Sequence, residues 1–467
     1  MRKALRAVSA VLCLLLLAGI FGACSSGGAG DKAADGGAVS SVQKQEGDSA
    51  NPGNAEPYTL KFLSHWAKDD QTTEGYIFSL LLDEYIKANP GFDYEYETVE
   101  QFDVPTKISI LVASNDVPDI FSYEDGGALD SIVNLKAIIN MDKDLPKLGI
   151  TLDKLCTPGA INAKRILSNF DDIYSLPENM VMEGVWYNKT IFEKNGLSVP
   201  KTWGELETLC DSLLKAGILP FALGGQAKWP ITRWIMLYAN RLEGSSCHLD
   251  ASRLENGSKF TDDVFVKAAA KTQEMFKKGY FGKGYNSLDY QTSVTMFLSG
   301  ESAMIYNGSW FASSLMSKEE NKVGEENIGY FQVPGIEGSR ISLEDALKID
   351  DLSTNMAICF GKTKFDEGTN NECLKYILSK LGKMQWEYGK FSPFISEPPK
   401  DFSPIQQIVM DELNYADSPC LWFEAKMDTS ASNVALENGQ LLAEGNMTPE
   451  QYCALLTDAI NVSMAKK

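Results

Sequence analysis

From Tyr58 onward the chain alternates between two hydrophobic periods, and that alternation narrows the fold more than any other feature. "YTLKFLSHW" switches apolar and polar residues with the two-residue period of a strand. "TEGYIFSLLLDEYIKANPG" then brings Ile77, Leu80, Leu81 and Tyr85 onto one helical face and stops at Asn89-Pro90-Gly91. "FDYEYETV" reads as a second strand. "VPTKISILVASNDVPDIFSYE" reads as a helix, a turn and a short strand at Asp119–Ser122. Strands separated by helices need crossover connections, so this order predicts a parallel sheet covered by helices, an α/β lobe.

After "DDIYSLPE" the pattern restarts. "GVWYNKTIFEKNG" leads into "VPKTWGELETLCDSLLKAG", where Thr202 and Glu205 form a capping box. "ILPFALGG" is a short strand, followed by helical spacing from Trp234 to about Gly279. "NIGYFQVPG" and "STNMAICFG" are strand-like, and a helix begins at Asn371. The last helix opens at "MTPEQYCALLTDAI", with Thr448 as N-cap, Pro449 at N1 and Gln451 at N3. In "FLSGESAMIYNGSW", Ala303 to Tyr306 reads as a strand and Asn307-Gly308 as a turn. Ser309 caps a following helix that carries Trp310 in its first turn. Trp186, Trp203, Trp234 and Trp386 read as structural.

The first residues read as processing signals. Arg2, Lys3 and Arg6 precede an apolar run, Ala7 to Ile20, and "FGAC". A basic start with a short apolar core fits a lipoprotein signal peptide over 1–23, and Cys24 as the lipidated residue. Residues 24–57, rich in Gly, Ser and Ala with no aromatic, Leu or Ile, read as a flexible tether reaching about 30 Å. With 63 acidic and 43 basic residues the net charge is −20, which argues against nucleic acid and anionic lipid surfaces as partners. Besides Cys13 and Cys24, seven cysteines are scattered without a CxxC pair, so buried free thiols are expected rather than a disulfide framework or zinc site.

Enzyme signatures fail one by one. The two histidines, 65 and 248, are far apart, and HExxH, GxSxG and GxGxxG do not occur. "FGKTK" at 360–364 would need Gly at 356 to cradle a phosphate, and that residue is Met356. Asp171-Asp172 and Glu124-Asp125 are paired acids, but adjacency in sequence does not set a spacing across a substrate. No catalytic residue, cofactor or metal is expected.

Taken in order, the strand ending "HW", "ASNDVPDIF", "IYSLPE", "VWYNKTIFEKNGL", "VPKTWGEL", "FALGG…W", "FLSGESAMIYNGSW", "FQVPG" and "EGNMTPEQYCALL" resemble the family 1 extracellular solute-binding proteins of ABC importers, the maltose-binding-protein-like group. The resemblance spans about residues 58–465. It implies a two-lobed α/β periplasmic-binding-protein-like (type II) fold, with the ligand cleft between lobes and three hinge crossings. The crossings fall near Asp172–Leu176, Ile349–Ser353 and Ser392–Ile395, making 58–173 plus 351–393 one lobe and 176–348 plus 395–467 the other.

The resemblance also implies capture of a carbohydrate and its delivery to ABC permease subunits with their ATPase. The scarcity of basic residues in the candidate loops favours a neutral oligosaccharide. A monomer, lipid-anchored at the extracytoplasmic face of the bacterial cell membrane, is expected. A surface receptor that senses or adheres without transport, or a receptor for a non-sugar solute, is the competing reading. Planar polar groups hydrogen-bond sugar hydroxyls, and flat aromatics stack on the C–H faces of the rings. On that chemistry the candidates are His65 and Trp66 after the first strand, and Glu124 and Asp125 after "PDIFSY". Gln226 and Trp229 follow "FALGG". Trp310 follows "NG", Trp422 lies in "SPCLWFEA", and Asp351 sits at a crossing. Arg233 is either a residue that reaches the cleft or, as the favoured reading, a salt-bridged surface arginine.

Overall fold

The computed structural model describes residues 57–465, apart from 246, 350–352, 355 and 416–419. The signal peptide, Cys24 and all but the last residue of the tether lie outside the described residues, as does Asp351.

Two sheets organise the described chain. The first contains β1 (Tyr58–Ser64), β2 (Phe92–Thr98), β3 (Ile120–Tyr123) and β4 (Leu176–Pro177), with β9 (Ala357–Phe360) arriving from far along the sequence; its order is β2-β1-β3-β9-β4. β1 runs parallel to β2 and β3, as crossover helices require. β9 runs antiparallel to both of its neighbours, so the sheet is mixed where the sequence predicts a parallel one. The difference has a topological cause: β9 enters after the whole second sheet, and no crossover helix constrains its direction. Both faces are covered. Leu60 and Phe62 pack with Ile77 and Leu81 of the helix Glu74–Ala88, while Leu63 packs on the other face with Val104, Ile108 and Phe121.

The second sheet is formed by β5 (Glu183–Asn188), β6 (Leu219–Ala222), β7 (Ser302–Gly308) and β8 (Ile328–Phe331), in the order β6-β7-β5-β8. Adjacent residues of β5 face opposite cores. Val185 joins Trp203, Phe221 and Trp234, whereas Trp186 joins Phe297, Ile305 and Phe311. Trp186, Trp203 and Trp234 are therefore core residues, and Trp386 is half-buried against the same core as Trp186. Two sheets with separate cores make the two-lobed α/β architecture.

Capping chemistry is written locally, and one of the two expected capping boxes forms in full. Thr448 Oγ1 and Gln451 close a reciprocal capping box at the last helix. At the helix Trp203–Lys215, Thr202 accepts from the Glu205 N–H, but the Glu205 carboxylate reaches Lys201 N instead of Thr202 N. Among the described residues seven cysteines are free, and all but the half-buried Cys247 are buried. Burial pushes the thiols of Cys156, Cys373 and Cys453 up to about 12, which leaves them unreactive as nucleophiles. No helix among the described residues is long and apolar enough to cross a membrane.

Beyond β4 the chain passes to the second sheet through 178–182, later than the Asp172–Leu176 expectation, because Leu176–Pro177 still pairs with Ala357–Ile358. Here Met180–Val181 pairs with Ser353–Thr354, and Met180 N donates to Phe391 O (2.8 Å), so three chain passages lie side by side. A further contact joins the segment after β3 to residues 425–427. Gly127 N donates to Ala425 O (2.9 Å). Gly126 has φ +71°, and a Cβ there would lie 1.9 Å from Ala425 O. Gly126→Ala is accordingly expected to destabilise by about 1–3 kcal/mol, since backbone faces backbone and neither can move aside. Scanning calorimetry checks this: an unchanged melting temperature would mean that the contact is not held in solution.

Candidate ligand-binding cleft

Strand direction decides which residues meet. β1 and β3 are parallel and end at the same edge, so His65 and Trp66 come beside Glu124 and Asp125. Open α/β sheets bind ligands at such carboxyl edges. Ser64 and Ser122 link across the edge through their hydroxyls (3.1 Å), and His65 Nδ1 lies 3.1 Å from Ser122 Oγ. The Trp66 N–H donates to Ser64 Oγ (3.1 Å), Tyr96 donates to Trp66 O (2.9 Å), and the indole Nε1–H donates to Glu178 Oε2 (3.0 Å). The His65 and Trp66 rings lie 3.8 Å apart between centroids. Burial depresses the His65 imidazole to about 3, so it is neutral at ordinary pH. Its Nε2 is buried without a hydrogen-bond partner among the described residues.

Glu178 belongs to a buried group beside the interlobe passage. Asn179 donates to Glu74 Oε1 (2.7 Å), and Lys390 Nζ lies 3.9 Å from Glu74 Oε2. Burial raises the Glu178 carboxyl well above its ordinary value, and the Glu74 charge adds to this. The Trp66 ring is thus anchored to the passage itself.

Glu124 and Asp125 part company. Asp125 is buried and accepts from Lys164 Nζ, Ser175 Oγ and the Gly126 N–H, so its carboxylate is committed inside the protein. A ligand contact from Asp125 would have to share this carboxylate with Lys164. Glu124 is half-buried and makes no hydrogen bond or ion pair among the described residues. Burial raises its carboxyl to about 7, helped by Glu424 and opposed by Arg233.

On the second sheet, β6 and β7 are parallel while β5 is antiparallel to β7, so the ends of β6 and β7 share an edge with the start of β5. That edge gathers Trp229, Trp310, Tyr290 and Glu183. Trp229 opens the helix Trp229–Glu243 just after Lys228, which holds φ +65°. The Trp229 ring lies 5.8 Å from Trp310 and 5.9 Å from Tyr290, and Trp310 Nε1 donates to Tyr290 Oη (2.9 Å). Tyr290 and Asn307 are also bonded, through both atoms of the amide. A Cβ on Gly308 would strike the Trp310 ring, so glycine lets the indole lie flat on the strand end. The result is a braced, half-buried aromatic wall.

Beside it, Arg233 sits one helical turn from Trp229, with its guanidinium carbon 5.2 Å from that ring centroid. It is buried, not on the surface as expected, and grips Glu183 through Nε (2.9 Å) and Nη2 (3.2 Å). Nη1 reaches Glu424 Oε2 (3.4 Å), whose other oxygen accepts from Thr232. Burial raises the Glu424 carboxyl and Arg233 opposes it.

The remaining candidates are Gln226 and Trp422. Gln226 is exposed, and its side chain makes no hydrogen bond among the described residues. Trp422 is half-buried and packs with Leu249 on Leu167, Leu421 and Ala425. Sequence reasoning misses Tyr290, Glu183, Glu424 and Glu178. Only the four-residue spacing of Trp229 and Arg233 offers a signal.

Comparisons with known proteins agree with this architecture. A family model described as bacterial extracellular solute-binding protein matches residues 69–346. The multiple sugar-binding protein of Streptococcus mutans is 22% identical over 61% of this chain and 64% of its own. The diacetylchitobiose binding protein of Streptomyces coelicolor is 27% identical over 48% of this chain and 47% of its own. The matches thus span less than two thirds of these relatives. A solved chitin oligosaccharide binding protein superposes with a TM-score of 0.77 at 21% identity, covering 88% of this chain and all of that one, which is a likeness of fold.

Removing Arg233 strands two buried carboxylates. Arg233→Met is expected to cost about 3–5 kcal/mol in unfolding experiments. Without the cation that opposes it, the Glu424 carboxyl, already raised by burial, would titrate further above its unfolded value. Such groups add stability below the unfolded pKa and lose it as pH rises through the folded one. The deficit should therefore be smaller near about pH 5 than near about pH 8. A pH-independent deficit would count against the ion-pair account.

Proposed function

This chain belongs to the bacterial extracellular solute-binding protein family, and from that premise we propose that it captures a carbohydrate between two lobes and delivers it to an ABC permease. The lobes are 58–177 plus 351–393, built on the first sheet, and 178–348 plus 395–467, built on the second, with Leu176–Pro177 shifted from the expected second lobe because it pairs with Ala357–Ile358. A lipid on Cys24 holds the protein at the extracytoplasmic face of the membrane, and the tether gives it reach to the permease.

The observation that carries the carbohydrate reading is the braced wall of Trp229, Trp310 and Tyr290 set directly beside Arg233, Glu183 and Glu424. A sugar ring needs both surfaces together: a flat π face for its C–H patch and planar polar groups for its hydroxyls. Glu124 and the neutral His65 supply hydrogen bonds from the first lobe, and Trp66 adds an aromatic edge there. Sugar names among the relatives and the fold neighbours support the same ligand class. Asp125, Gln226, Trp422 and Asp351 stay candidate contacts in this reading. Ligand stabilises the closed arrangement by the contacts that only closure brings together. The bracing hydrogen bonds keep the aromatic faces ordered before ligand arrives, so less entropy is lost on binding.

A thermal-shift screen against mono- and oligosaccharides tests the class, because a ligand of the folded state raises its melting temperature. For the sugar that binds, Trp310→Ala is expected to cost about 1–3 kcal/mol of affinity by calorimetric titration. It should also cost some stability, since its indole is bonded to Tyr290 and packed on Trp229. Full affinity in this variant would refute the platform.

A further inference from the structure

Behind the aromatic wall lies a small cavity with a largely apolar lining. Phe221, Trp234, Phe281 and Ile305 contribute to it, and each is buried. Among the described residues that line it, only Trp229 and Tyr290 are more than marginally exposed. The cavity can therefore open only between these two rings, whose centroids are 5.9 Å apart. Its mouth lies in the wall itself and faces the space that a ligand would fill. A Cβ on Gly224 would lie 2.6 Å from the Tyr290 Cα, so the chain leaving β6 sits hard against the segment that carries Tyr290 and frames the cavity.

The polar side chains of the lining are engaged elsewhere or packed. Ser293 Oγ donates to Tyr290 O (2.7 Å), and Tyr290 Oη is held by Trp310 Nε1 (2.9 Å) and Asn307 Nδ2 (3.1 Å). The Tyr306 ring packs on Trp234, with centroids 5.8 Å apart. The space has room for about one water-sized group. A water would want about two to four polar partners, which a surface of aromatic and aliphatic carbon supplies poorly. An apolar group of the same size suits it better, because each new carbon contact replaces empty space.

We propose that this cavity takes the methyl end of an acetyl group on the ligand's sugar ring, so that the cleft selects an acetamido sugar over its plain or hydroxylated counterparts. This rests on the carbohydrate reading above and deepens it. The wall is bent where the mouth opens: the planes of Trp229 and Trp310 are 77° apart, and those of Trp229 and Tyr290 are 47° apart. A pyranose stacked flat on Trp310 turns its edge, with its equatorial substituents, toward Trp229 and the gap beside it. An acetamido group on that edge is flat and ends in a methyl, so it passes between two rings and fills the hole. A hydroxyl in the same place would give up its water partners for carbon, which is unfavourable.

The test is calorimetric titration of the full chain with three β-1,4 trisaccharides: those of N-acetylglucosamine, of N-glycolylglucosamine and of glucose. The N-glycolyl form differs from the N-acetyl form only by a hydroxyl on each methyl. The N-acetyl form is expected to bind at least about tenfold more tightly than either of the others. Ala222→Val and Ser293→Val each add methyl bulk at the lining. Either should bring the ratio of N-acetyl to glucose affinity down to about one. The melting temperature of each variant shows whether it has folded, and the wild-type comparison stands without them. Equal binding of the N-acetyl and N-glycolyl forms, tighter binding of the glucose form, or an unchanged ratio in both folded variants would each overturn the proposal. If none of the three binds while another sugar of the thermal-shift screen does, this inference falls and the carbohydrate reading stands. If no sugar of the screen binds the folded protein, both fall.

Discussion

The buried guanidinium of Arg233 holds the cleft wall together. It joins three segments far apart in sequence: the helix that starts at Trp229, the first residue of β5, and the stretch around Glu424. Each partner is nearly inaccessible to solvent, so the ions compensate one another or not at all. The planar fork matters more than the charge alone, since a lysine could not bond both Glu183 oxygens in parallel. Trp229 inherits its position from this ion pair, because the guanidinium packs on its ring from one turn along the same helix.

The aromatic wall and the opposite edge are built by different means. On the second sheet, side chains brace one another: Trp310 on Tyr290, Tyr290 on Asn307, and Gly308 leaving room beneath the indole. On the first, paired serines and the backbone fix His65 and Trp66, and Trp66 is tied onward to Glu178. That last bond connects a cleft aromatic to the chain passage between the sheets, beside the Met180–Val181 and Ser353–Thr354 pairing.

How far the residues can be read in advance varies with the range of the interaction. The capping box at Thr448 and Gln451 lies within one helical turn, and it forms as its spacing requires. Ala303 to Tyr306 is a strand, but the strand runs on through Gly308, because Asn307 and Gly308 pair with Gly184 and Glu183 where the sequence predicts a turn. Ser309 does not cap a helix. Its hydroxyl donates to Met180 O and accepts from Met182 N–H, partners more than a hundred residues away. Arg233 reads as a surface residue because neither Glu183 nor Glu424 is near it in sequence. Asp125 is as available as Glu124 in the sequence, and it is Lys164, on a later helix, that claims its carboxylate.

Hydrophobic period, caps and the order of the segments are enough by themselves to determine an α/β chain, for these depend on residues within a turn or a strand of one another, while the two lobes follow from the family resemblance of those segments taken in order. The positions of tryptophans after strand ends also mark where a cleft aromatic would surface. Only the tertiary structure decided the direction of β9, the burial of Arg233 with Glu183 and Glu424, and the commitment of Asp125 to Lys164. Those outcomes turn on pairings between buried charges and strand edges brought together from distant parts of the chain. The cost of leaving such groups unpaired is set by the completed fold and has no local signature.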